Sequence, residues 1–189
     1  MRPAPLAAAL AALAFLLHAG GAAAQEEEPY EPTGEVRFFG WSTGAGATFD
    51  VRRVVGPNVN LSRRDNGSWA GDLAGMNVDL EVVGDRIRGS NVSLQVTKKK
   101  TLIHVEGLFF GARVNLELEP KRFHGRFGAC SLDLDRKNME PYHGNVGCQR
   151  VNMATPQTAR ASLQLFGDAG AAEPPLMQLA FALLAVLPG

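Results

Sequence analysis

The sequence predicts a mainly β fold: an antiparallel β-hairpin repeat meander that closes into a barrel or a strongly curved sheet, with a short apolar C-terminal helix. Three features of the 189-residue chain carry that expectation. A four-residue phrase of alternating apolar and polar residues keeps returning. A glycine recurs once per repeat at a matching place. Beyond Pro174-Pro175 the alternation gives way to an almost wholly apolar run. Alternation at period two marks a strand with one buried face, whereas a continuous run of Leu, Ala and Met marks a helix. A β-sandwich and a β-solenoid are the alternatives.

Residues 1–24 come first. Arg2 supplies a positive start, residues 6–17 are an unbroken apolar run, and Ala22-Ala23-Ala24 offers small side chains for cleavage. A run of that length falls short of the ~20 residues of a membrane helix. It reads as a secretory signal peptide cut after Ala24, so the expected location is periplasmic or extracellular. Residues 25–35 follow as an acidic, proline-bearing leader with a solvated character.

Residues 36–154 form the repeat domain. The phrase reads Asn58-Val59-Asn60-Leu61, Asn77-Val78-Asp79-Leu80, Asn91-Val92-Ser93-Leu94, Arg113-Val114-Asn115-Leu116 and Arg150-Val151-Asn152-Met153, with Ser131-Leu132-Asp133-Leu134 as a looser copy. Five copies are followed by turn residues and a second short run ending at Gly71, Gly89, Gly107, Gly125 or Gly144. Each unit is therefore a strand–turn–strand hairpin. Asn66-Gly67 has the composition of a two-residue primed turn. Lys98-Lys99-Lys100 reads as a solvated connection between strands that discourages edge pairing. Glycine at a fixed strand position permits the kink a closing sheet needs. Ten to twelve such strands are too many for a flat open sheet. They are also too short and too poor in aromatics for an outer-membrane barrel.

Composition excludes some functions. Nineteen basic residues balance nineteen acidic ones, so nothing favours nucleic acid or an anionic membrane surface. The segment from Gly40 to Gly46 lacks the lysine of a phosphate loop and reads as an exposed loop after a Val36–Phe39 strand. Trp41 within it, and Trp69, are candidate ligand contacts. First strands of hairpins carry outward acids (Asp79, Glu81, Glu117, Asp133, Asp135) and second strands outward bases (Arg88, Arg122, Arg126). That pattern is cross-strand charge pairing rather than acid–base chemistry. His124 and His143 share a repeat position, with His104 close to the equivalent one. They are candidate ligand contacts, and together they define an alternative in which the protein is an enzyme or binds metal. On a meander, alternate strands hold them ~10 Å apart. No catalytic residue, metal site or cofactor is assigned.

Cys130 and Cys148 are the only cysteines, and export makes a disulfide the expected state. Aligning residues 125–130 with 144–148 puts the two sulfurs on corresponding strands of neighbouring hairpins. A bridge then requires the strand at residues 148–153 to lie against the strand that begins at Cys130.

Residues 155–173 read as a linker with one possible extra strand at residues 161–166. Residues 174–189 form the helix, in which Gln178 is the one polar side chain of the run 176–187. A helix apolar on all sides is buried, or meets a membrane or a partner through Leu176, Leu179, Phe181, Leu183, Leu184 and Leu187. The functional expectation is an exported, non-enzymatic β-repeat protein of the cell envelope or periplasm, structural or binding. The alternative is a carrier of a small apolar ligand or lipid, its barrel cavity closed by that helix.

Overall fold

The computed structural model describes residues 30–41, 43–149 and 155–188. The signal segment, most of the leader and the phrase copy at Arg150–Met153 lie outside the described residues. Fourteen strands form one closed antiparallel barrel: β1 (Gly34–Gly40), β2 (Thr43–Phe49), β3 (Arg53–Gly56), β4 (Val59–Arg63), β5 (Trp69–Leu73), β6 (Met76–Val83), β7 (Arg86–Gly89), β8 (Val92–Lys99), β9 (Leu102–Phe109), β10 (Ala112–Leu118), β11 (Arg122–Phe127), β12 (Cys130–Arg136), β13 (Tyr142–Cys148) and β14 (Gln157–Gly167). Each strand pairs with its neighbours in sequence, and β14 returns to β1 to close the wall. Closure and hairpin connectivity rule out the sandwich and the solenoid. One helix, α1 (Leu176–Val186), follows a short 3-10 turn at Asp168–Gly170.

The repeat is legible in the register. Each hairpin sets the last residue of its phrase opposite the glycine of the next strand: Leu61↔Gly71, Leu80↔Gly89, Leu94↔Gly107, Leu116↔Gly125 and Leu134↔Gly144. A Cβ at Gly125 would fall on the carbonyl oxygen of Asn115, and Gly125 itself has φ +136°, a conformation other residues rarely adopt. The same clash recurs at Gly71, Gly107 and Gly144 against Asn60, Ser93 and Asp133. The backbones therefore approach closely at the equivalent position of successive hairpins, where only glycine fits.

Alternation sends the apolar residues into the lumen and the charges outward. Val59, Leu61, Val78, Leu80, Leu94, Leu116, Phe123 and Leu134 are all buried. Outward positions carry Asp79, Glu81, Arg88, Glu117, Arg126 and Asp133. This is the inverse of a barrel whose apolar band faces lipid. No helix of the described residues is long and apolar enough to cross a membrane.

The helix lies inside the barrel. It packs against β1 to β4 on one wall and against β8 on the opposite wall, and every residue from Gln178 to Leu187 is buried. Its two polar contacts lie at opposite rims. Gln178 Nε2 donates to the Val51 carbonyl between β2 and β3 (3.3 Å), and Asn58 Nδ2, between β3 and β4, donates to the Ala185 carbonyl (3.3 Å). The Trp69 indole sits 5.5 Å, centroid to centroid, from the Phe181 ring. The helix, expected to be buried or to meet a membrane or a partner, is thus an internal core, and a helix without a wet face is what such a position requires.

Three local expectations are corrected and one is extended. Residues 43–49 are a strand, not a loop: Ala45, Ala47 and Phe49 turn toward the core while Gly44 and Gly46 face out, so small residues conceal the alternation. The possible strand at 161–166 is the longer β14, which closes the barrel. Asn66-Gly67 is not a two-residue primed turn. Arg64 N donates to Ser68 O (2.8 Å) around a three-residue loop in which Gly67 alone has positive φ, and Asn66 Oδ1 accepts from Ser68 N and Oγ. Primed geometry occurs instead at Ala74-Gly75 and Phe110-Gly111, with both φ values positive. Finally, Lys98 belongs to β8, where its ammonium pairs with Glu173 (2.5 Å) and donates to the Ala172 carbonyl (2.7 Å), holding the segment that leads into the helix.

The disulfide Cys130–Cys148 is formed, with Cα atoms 4.0 Å apart. Cys130 opens β12 and Cys148 closes β13, the two strands of one hairpin, so they face each other directly. No strand intervenes, contrary to the spacing expected for corresponding strands of neighbouring hairpins. The expected contact of Cys148 with the Cys130 strand is present; residues 150–153 lie outside the described part.

Candidate functional site

With the lumen occupied, a broad concavity lies on the outer wall, where β13, β14, β1 and β2 meet. A groove of about 610 Å³ is lined by His143, Arg160, Ala161, Ser162, Phe39, Gly40, Thr43 and Gly44. Register places its centre in one line across four strands: His143↔Ser162, Ser162↔Phe39 and Phe39↔Gly44. Phe39 is 43% exposed, although its chain neighbours Phe38 and Gly40 are buried. Its ring lies across Gly44, where a Cβ would stand 2.8 Å from ring carbons. Glycine at that position lets the aromatic face lean onto β2 and leaves space above Ser162. Two residues along β14, Arg160 faces Asn145 on β13, just beyond the last β1–β14 pair, Gly40↔Ala161. Arg160 makes no hydrogen bond or ion pair with a described residue.

The chemistry of this groove is an exposed aromatic face, a guanidinium without a partner among the described residues, an imidazole and a hydroxyl. Such a set has the chemistry to hold and orient a ligand. Ser162 and His143 face each other in register, a hydroxyl beside an imidazole.

The three histidines stand on β9, β11 and β13, alternate strands of the same wall, with acids between them. His104 Nε2 lies 3.0 Å from Asn115 Oδ1, and His124 Nε2 lies 3.4 Å from Glu117 Oε2. His143 faces Asp135 in register. Among the described residues no group of three His, Cys, Asp or Glu side chains is placed to hold a metal ion. Arg122 donates to Asp133 (2.9 Å), and that bond raises its already high pKa. Burial raises the pKa of Tyr142, whose hydroxyl donates to the Glu119 carbonyl (2.8 Å). The Arg122 bond joins the neighbouring strands β11 and β12, whereas the Tyr142 bond reaches from β13 past β12 to the turn between β10 and β11.

Of the four candidate contacts read from sequence, His143 lines the groove and His124 lies two strands away. Trp41 occupies the β1–β2 turn with φ +49° and packs partly against the core. Trp69 is 2% exposed inside the barrel. Phe39, Arg160 and Ser162 were not singled out by sequence, because β1 and β14 meet only on closure.

A second, smaller concavity of about 300 Å³ opens at the rim beside the helix end, between Phe109, Phe127, Leu184, Leu187, Ala74 and Asn58. Phe109 and Phe127 meet edge to face at 5.7 Å. No protein-family model, curated protein or solved structure matches this chain.

Proposed function

We propose that the chain is an exported, non-enzymatic binding module of the cell envelope or periplasm, a scaffold that presents its outer wall to a ligand or partner. The occupied lumen carries this reading: with its own helix as core, the barrel leaves the outer wall and its rims as the surfaces on which binding occurs. The signal-like segment at 1–24 and the disulfide support export. Expression of residues 1–189 in a Gram-negative host tests it. The expected product is periplasmic or released, begins at Gln25 and has no titratable thiol when denatured without reductant. A cytoplasmic, uncleaved protein with two free thiols contradicts the reading.

A second reading, carriage of a small apolar molecule, is favoured by the rim concavity alone. It is close to the lower end of the ~300–1,000 Å³ typical of ligand sites. Native mass spectrometry of the purified protein checks it: a co-purifying apolar mass supports carriage, and a bare protein mass opposes it.

A further inference from the structure

We infer that the groove over β13, β14 and β1 binds an acidic saccharide, one uronic-acid unit stacked on Phe39 with its carboxylate on Arg160. The inference rests on the binding role proposed above and names the ligand class of that wall. Strand spacing of ~4.8 Å sets the Cα atoms of His143 and Phe39 about 10 Å apart, with Ser162 between them. A pyranose ring is about half that width, so it fits above Ser162 with one face on the phenyl ring. The apolar C–H face of a sugar matches an exposed aromatic surface, which otherwise faces water at a cost. The Ser162 hydroxyl and the His143 imidazole supply both donor and acceptor capacity for sugar hydroxyls on the floor and far side. Arg160 lies two residues from Ser162 along β14, ~7 Å away, within reach of a carboxylate carried by the ring.

Charge selects the acidic sugar over a neutral one. Arg160 faces Asn145, not an acid, on β13, and β1 has ended at its level. The acids nearest in register, Asp135 and Asp133, face His143 and Asn145 from β12, one strand beyond the groove. A guanidinium recognises a carboxylate through two parallel hydrogen bonds. The volume of about 610 Å³ accommodates more than one sugar unit, so an oligosaccharide is the better probe.

The test is titration of the oxidised protein with trigalacturonate, followed by calorimetry and by the amide shifts of residues 160–163. Neutral galactotriose and benzoate serve as comparison ligands. Trigalacturonate is expected to bind, with affinity falling as salt rises. Arg160→Gln and Phe39→Ala should each weaken it at least tenfold, and Arg126→Gln, on the outer face of β11, should leave it unchanged. Galactotriose and benzoate should each bind at least tenfold more weakly. All three substituted side chains are exposed, and an unchanged melting temperature confirms that the variants fold. Absence of binding at millimolar trigalacturonate overturns the inference, as does binding that Arg160→Gln and Phe39→Ala leave intact. Equal binding of galactotriose overturns the carboxylate assignment, and equal binding of benzoate overturns the saccharide assignment. None of these results bears on export, which the N-terminus and thiol content decide separately.

Discussion

The wall from β4 to β13 and the closing region of β14, β1, β2, β3 and α1 are built on different principles. In the first, each hairpin repeats the last: an alternating phrase, a short turn, and a glycine opposite the final leucine or its equivalent. Nearly all its pairings join residues close in sequence. In the second, β1 pairs with β14 across more than a hundred residues, and a helix from the end of the chain packs on the first four strands. The repeat wall is built through local rules. The closing region completes it as a barrel and places the helix inside. The groove appears where the second region meets the first, because there the outward residues, Phe39, Ser162 and Arg160, depart from the repeated charge alternation.

The contrast can be broken most severely at the helix. Six of its large apolar side chains, at ~25 cal/mol per Å², contribute on the order of 10 kcal/mol before ordering entropy is subtracted. That rivals the net stability of a whole domain, about 5–15 kcal/mol. Deleting residues 174–189 should abolish cooperative unfolding and expose apolar surface, read by circular dichroism melts and by dye binding. A truncated protein that keeps its melting temperature would mean that the wall stands without its core.

Gly125→Ala attacks the wall instead. Both the positive φ and the Asn115 carbonyl oppose a Cβ there, so a loss of about 3 kcal/mol is expected in urea unfolding. The same change at exposed Gly75, where a Cβ meets nothing within 4 Å, should cost less and so separate clash from backbone strain. The Cys130→Ser/Cys148→Ser pair removes a bridge with a sequence separation of 18, worth ~3 kcal/mol or somewhat less by chain entropy. Because the bridge joins strands already paired in one hairpin, the variant should remain a folded barrel with a lower midpoint.

The smallest effect sharpens the comparison by pH. Tyr142 bonds from β13 to the carbonyl of Glu119, and its folded pKa is raised by burial. The unfolded phenol ionises first. The stabilisation is therefore complete below the ordinary value near 10 and is lost as pH rises through the higher folded value. Tyr142→Phe should cost about 1 kcal/mol at pH 8, and its deficit relative to the parent should shrink in alkali. A deficit that stays constant to pH 11 would assign the tyrosine a packing role alone.

Much of the wall was legible because local chemistry dictates it. The phrase at Val114–Leu116, the glycine at Gly125 and the outward run Arg122, His124, Arg126 all appear where alternation places them. Strand β2 was hidden because Gly44, Ala45, Gly46 and Ala47 lack the size contrast that reveals a period. The Asn66-Gly67 turn misled because Asn66 uses its side chain to cap Ser68 rather than adopting positive φ. The cysteine geometry was misplaced by aligning two glycine motifs and overlooking that Cys130 already belongs to the next strand. The groove was hidden because two of its sides, Phe39 and Ser162, are joined only by closure, which no local pattern reports. His143 was visible because it belongs to the repeat.

The central claim is that α1 is the interior of the closed barrel rather than a surface element. Hydrogen exchange of the helix amides tests it most directly, since an internal helix opens only when the wall opens. Amides from Ala180 to Val186 are expected to exchange with the same free energy as those of Leu61, Leu116 and Leu134, and to shift with them in denaturant. Helix amides that exchange within minutes while those strand amides remain protected would place the helix outside the core and contradict the account.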